Sequence, residues 1–137
     1  MSDRNEKDDI SSIPDMVLDI WEKINYSQWK MKSAKALKGD EARLHTGIIA
    51  QDIRDAFENA GLNATDYGML IYEKWDSIEA TDYQAAVYDE SGNMITDEVQ
   101  AVEGRDAGEI WMVRMEECLA LEAALMRREI QKLKAKQ

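Results

Sequence analysis

The chain has 137 residues, 45% of them apolar, which suffices for one domain, or a small domain with an extended element, around a core. A formal net charge of −11 excludes a nucleic-acid surface, which needs clustered Lys and Arg, and disfavours an anionic membrane. The single Cys118 excludes an internal disulfide, and no run approaches the roughly 20 apolar residues that span a bilayer.

The first nine residues are polar and mixed in charge, unlike a secretory signal, and predict a soluble intracellular chain. Pro14 opens a helix in which Met16, Val17, Ile20, Trp21 and Ile24 recur at helical spacing. Residues 26–31 read as a short strand, and 33–43, rich in lysine, as a solvated excursion. A strand over 44–49 leads into a helix with Ile53, Phe57 and Ala60 on one face and Gly61 at its end. Tyr67-Gly68-Met69-Leu70-Ile71-Tyr72 predicts a buried strand.

Residues 83–102 read as a hairpin about the turn Asp89-Glu90-Ser91-Gly92-Asn93. That stretch has too few large apolar residues to bury both faces, so it is expected to project and pack on something else. From Glu109 no Gly or Pro interrupts a helix to the end. Met112, Leu119, Met126 and Leu133 recur every seven residues, Ala123 and Ile130 take the complementary positions, and Glu116 interrupts them. The heptads predict a coiled coil, with a helix lying on its own domain as the alternative. No internal repeat stands out.

Candidate chemistry is sparse. One histidine and one cysteine cannot build a His/Cys metal site within a subunit, so no metal and no cofactor are expected. No glycine-rich phosphate loop is present, and His45 has no nucleophile elbow near it. Ser2 and Lys7 remain. A neutral lysine can take a proton from a serine hydroxyl when its surroundings favour the neutral form. Five extended residues span about 17 Å, so the pair meets only if the segment between them turns back. By itself the spacing is common.

Three blocks in order resemble the intramolecular chaperone domain at the C-terminus of phage endosialidases and related tail fibres. They are Ser2-Asp3 with Lys7 and Asp9-Ile10; His45-Thr46-Gly47-Ile48-Ile49-Ala50-Gln51 with the helix ending Phe57-Glu58-Asn59-Ala60-Gly61-Leu62; and Tyr67-Gly68 with Tyr72-Glu73-Lys74-Trp75-Asp76. The resemblance implies a domain that helps its own upstream fibre fold and trimerise, then cuts itself off at the serine that begins it. It implies Ser2 and Lys7 as the catalytic dyad, with His45 and Gln51 in supporting positions, His45 more for the fold than for proton transfer. The family's usual arginine three residues after the serine is replaced here by Asn5, with Arg4 one place earlier, so any role for Arg4 does not carry over.

The resulting expectation is an α+β chain. It has a chaperone domain over 1–108 with the projecting hairpin, and an oligomerisation helix over 109–137 forming a trimeric coiled coil. The partners are the upstream fibre, as client and substrate, and two further copies. Tyr83, Val87, Tyr88, Met94 and Ile95 are the expected fibre-gripping residues, because related domains embrace the fibre's base with extended protrusions. Met112, Leu119, Met126, Ile130 and Leu133 are the expected trimer seam. The setting is the host cytoplasm during phage assembly. A cap that trimerises a fibre without cutting it stays open as the alternative, and a free-standing adaptor has only the heptads behind it.

Overall fold

The computed structural model describes residues 2–137. Helices and strands mix along the chain: α1 (Asp15–Glu22), β1 (Ser27–Trp29), α2 (Lys32–Lys38), β2 (His45–Gly47), α3 (Ala50–Asn59), β3 (Leu70–Trp75), β4 (Val87–Tyr88), β5 (Met94–Thr96), β6 (Gly108–Val113) and α4 (Met115–Ala135). Short 3-10 turns lie at Arg4–Glu6, Gly39–Glu41 and Ala64–Asp66. The strands form three two-stranded sheets, β1 with β2, β3 with β6 and β4 with β5. The chain divides into two compact units, one running to Ile71 and resuming at Trp111, the other Tyr72–Ile110.

The first unit holds the core. Pro14 accepts the first amides of α1, from Val17 at 3.0 Å and Leu18 at 3.3 Å, and the helix buries Val17, Leu18, Ile20 and Trp21, with Ile24 just beyond. Met16, expected on that face, lies in the first turn at the flank of the arc and stays half exposed. In α3, Ile53 and Phe57 are fully buried. The helix ends as its sequence predicts. Gly61 takes φ +80°, its amide bonds Glu58 O, and the Leu62 amide bonds Phe57 O, so two terminal carbonyls are satisfied. Ile48, Ala50, Ala64, Met69, Leu70, Cys118 and Leu125 complete the same cluster. The excursion at 33–43 is solvated and includes most of the helix α2, which is exposed along nearly its whole length.

The predicted helix from Glu109 begins later. Gly108–Val113 is strand β6, and α4 starts at Met115. Ile110, Trp111 and Val113 are β-branched or aromatic and suit a strand once β3 is there to pair with. The Arg114 amide then donates to Met69 O at 2.8 Å, and its guanidinium to the Gly68 carbonyl, before the chain turns helical. Met112 therefore sits in β6, off the helical stripe.

The second unit is a two-stranded ladder. Its turn is built as the sequence indicates: the Asp89 carboxylate accepts the amides of Ser91 at 2.9 Å and Asn93 at 2.8 Å, and Gly92 has φ +83°. Antiparallel pairing extends beyond the predicted 83–102, with rungs Val87–Thr96, Gln84–Val99, Thr81–Val102 and Ile78–Arg105. Those rungs recur every three residues, not every two. The three isolated rungs are each closed by a mutual pair of backbone bonds of 2.8–3.0 Å.

Candidate functional site

The N-terminal segment turns back on itself. Asp3 caps the turn at Arg4–Glu6 by accepting the Asn5 amide at 2.9 Å, and the Glu6 and Lys7 amides close it on Asp3 O (3.2 Å) and Arg4 O (3.1 Å). A 3-10 turn rises about 2 Å per residue, so Ser2 and Lys7 stand much nearer than the roughly 17 Å of an extended chain. Both side chains are exposed, and no hydrogen bond joins them among the described residues. Asp9 then takes φ +53°, a left-handed conformation that Asp tolerates better than most residues, and it bends the chain ahead of Ile10.

The His45–Gln51 block mainly builds the fold. His45 lies opposite Trp29 in the β1–β2 ladder, exposed, and Gln51 lies exposed in the first turn of α3. Gly47 is required by packing: a Cβ there would fall 2.8 Å from the Trp29 ring and 3.2 Å from the Met115 methyl. Ile48 and Ala50 enter the core. No hydrogen bond links His45 or Gln51 to Ser2 or Lys7 among the described residues. Gly68, in the third block, is hemmed in by the Glu117 carboxylate, 2.6 Å from where a Cβ would stand.

Two faces of α4 differ. The inner face carries Cys118 and Leu125 into the core and is fixed to α1 by polar contacts. The buried Trp21 indole donates to Glu122 at 2.9 Å. Arg128 donates to Asp19 at 2.8 Å, to Asp15 O at 3.2 Å and, through Nε, to Glu129 at 3.1 Å. Its Nη2 is 2.9 Å from the same Glu129 carboxylate but misaligned, an ion pair without a second directed bond. The hydrogen bond from Arg128 holds the Glu129 carboxyl below its ordinary range despite some desolvation. The outer face bears Leu119, Met126, Ile130 and Leu133, each about half exposed or more. Around Ala123, Met126 and Ile130 that face forms a shallow groove.

In the ladder the expected gripping residues Tyr83, Val87, Tyr88, Met94 and Ile95 are all more than half exposed. The Tyr83 hydroxyl donates to Glu98 across the strands at 2.6 Å, a bond that raises its pKa. Sequence reasoning missed Ile78, Thr81 and Arg105, which pair outside the expected hairpin of 83–102. Their signal was a β-branched or apolar residue at most third positions, whereas the strand pattern sought was alternation.

Residues 2–62 match the family described as chaperone of endosialidase, a peptidase family. A crystal structure described as a novel intramolecular chaperon superposes with TM-score 0.74 at 44% identity, covering 96% of this chain and 99% of that one. The carboxy-terminal domain of the bacteriophage T5 L-shaped tail fibre with its intramolecular chaperone domain has TM-score 0.68 at 22% identity, over 99% of this chain and 31% of that one, a likeness of fold. Among curated proteins, "Depolymerase 1, capsule K3-specific" of Klebsiella phage KP32 is 36% identical over 94% of this chain. The tail spike protein of Escherichia virus K5 is 37% identical over 96% of it. The chain spans only 11% and 19% of those two relatives' lengths.

Proposed function

The chain belongs to the endosialidase-chaperone family, and from that premise we propose that it serves a phage tailspike or tail fibre as a trimeric folding chaperone that releases itself by cutting before Ser2. Ser2 Oγ attacks the carbonyl carbon of the residue ahead of it while Lys7 takes the hydroxyl proton. The new C–O bond replaces the C–N bond to Ser2, the freed nitrogen gains a proton, and water hydrolyses the ester. The fibre leaves with a new carboxylate, and this chain keeps Ser2 as its first residue. The event happens once per chain, since the substrate is the chain itself.

The observation that carries this reading is the capped turn at Arg4–Glu6, which folds the segment between Ser2 and Lys7 back instead of leaving it extended. Both side chains are exposed in the single chain. A setting that strips water from Lys7, and the donors for the oxyanion, are then supplied by the assembled fibre and neighbouring copies, which ties cutting to correct assembly. Assembly takes place in the host cytoplasm. The outer stripe of α4 (Leu119, Met126, Ile130 and Leu133) is the trimer seam, because a bare apolar stripe on a 21-residue helix calls for a partner. Met112, in β6, is left out of that seam.

With the upstream fibre restored, Ser2→Ala and Lys7→Ala each abolish cleavage and leave the trimer intact, read from fragment sizes on a denaturing gel and from light scattering. Efficient cutting by either variant removes the dyad. The absence of a Ser2–Lys7 hydrogen bond favours the non-cleaving cap as the second reading, and an uncut wild-type fibre would establish it.

A further inference from the structure

The backbone of the ladder is only partly used by the ladder itself. In a regular antiparallel pair, mutually bonded residues recur every second position. Here Ile78–Arg105, Thr81–Val102 and Gln84–Val99 recur every third, with two residues between rungs on each strand. Among the described residues, the peptide groups of residues 79–80, 82–83, 100–101 and 103–104 make no backbone hydrogen bond. At 80 and 104 the strands pass so closely that a Cβ on Gly104 would lie 2.9 Å from the Ala80 nitrogen. These amides and carbonyls are left unpaired by the ladder, on residues that are exposed, at a three-residue period.

From this we infer that the ladder holds its client through the main chain: an extended, neutral or basic segment of the upstream fibre pairs with the peptide groups between the rungs. The inference rests on the reading of the ladder as the fibre-gripping element, and adds what is gripped. Strand addition of this kind draws affinity from backbone bonds and is tolerant of client sequence. Charge selects the occupant. Residues 76–106 contain nine carboxylates and one cation, Arg105, which lies over the Trp75 ring at 5.8 Å. A second ladder brought alongside would place like charges opposite one another, which is destabilising, whereas a neutral or basic strand would not. Such a strand has a source, since the curated relatives carry most of their length outside the matched region.

Hydrogen exchange resolved to single amides tests the idea on two proteins, the isolated chain and the uncut fibre fusion held by Ser2→Ala. The amides at 79–80, 82–83, 100–101 and 103–104 should exchange freely in the isolated chain and at least tenfold more slowly in the fusion. No slowing in the fusion overturns the inference, and so does protection already present in the isolated chain, which would mean that copies pair with each other. A second arm replaces Asp82 and Ala101 by proline, deleting two of the offered donors, against a control with serine at both positions that loses the same charge. Soluble fibre trimer should fall about tenfold below the serine control, in line with two lost hydrogen bonds; equal yields overturn the inference. Shortening the hairpin across residues 89–93, with Val87 and Ile95 removed, separates the two levels. Unchanged fibre yield there sinks the gripping reading itself, whereas a loss there with normal yield from the proline variant sinks only the main-chain inference.

Discussion

The first unit and the ladder spend their residues in opposite ways. In the first unit nearly every large side chain in α1 and α3 that fits the helical period is buried, and the buried Trp21 indole is met by Glu122. In the ladder no residue from Thr81 to Val102 is buried, and its largest apolar groups are open to water. Burial at about 25 cal/mol per Å² is what normally offsets the entropy of ordering a chain, and the ladder forgoes most of it. Its order rests on paired rungs and a well-made turn. The contrast separates a unit that carries its own core from one whose apolar groups stay exposed in the single chain.

That contrast breaks most sharply under paired substitution. Phe57→Ala removes a fully buried ring and should cost the isolated chain about 3–5 kcal/mol, seen in denaturant unfolding. Ile95→Ser in the ladder should change the same unfolding free energy by less than about 0.5 kcal/mol. Equal costs would mean that the ladder is packed in solution, and the division of labour would be wrong.

The outer face of α4 is likewise apolar and exposed in the single chain. Leu119→Asp with Met126→Asp should leave the unfolding of the monomer nearly unchanged. The proposed trimer should then weaken by several kcal/mol, since charges would enter the apolar seam proposed for it. Sedimentation or light scattering across micromolar concentrations reads the loss. Retention of a wild-type trimer would move the interface elsewhere.

The smallest effect sharpens the account of the inner face. Glu129 is held below its ordinary range by Arg128, so its contribution is present above the unfolded carboxyl's pKa and is lost as pH falls through the lower folded value. Midpoints measured from pH 6 down to about pH 3 should therefore fall, and Glu129→Gln should flatten part of that slope. An identical slope in the variant would show that this pair does not couple to folding.

Much of the first unit, and the turn of the second, was legible because their signals are local. Helical periodicity, Pro14 ahead of α1 and Gly61 after α3 each act within a few residues, and the turn at Asp89–Asn93 carries its own hydrogen bonds. The start of α4 was not legible. Residues 109–113 form a strand only because β3 lies beside them, and the spacing from Met112 to Leu119 imitates a heptad by coincidence. The reach of the ladder to Ile78 and Arg105 was hidden for another reason, since a three-residue period matches neither helix nor alternating strand. At the candidate site, spacing alone gave Ser2 and Lys7 no special standing. The Asp3 cap that bends the chain between them is a feature of local hydrogen bonding, which a residue count does not contain.

Cys118, with no accessible surface, gives the chain a practical property. Burial, with the Glu117 carboxylate second, pushes its thiol up, away from the reactive thiolate. The native sequence is therefore a nearly silent background for maleimide labelling. A cysteine introduced on an exposed residue of the ladder or of α4 would carry a fluorophore or spin label without prior removal of the native thiol, so each of the two surfaces can be probed one site at a time.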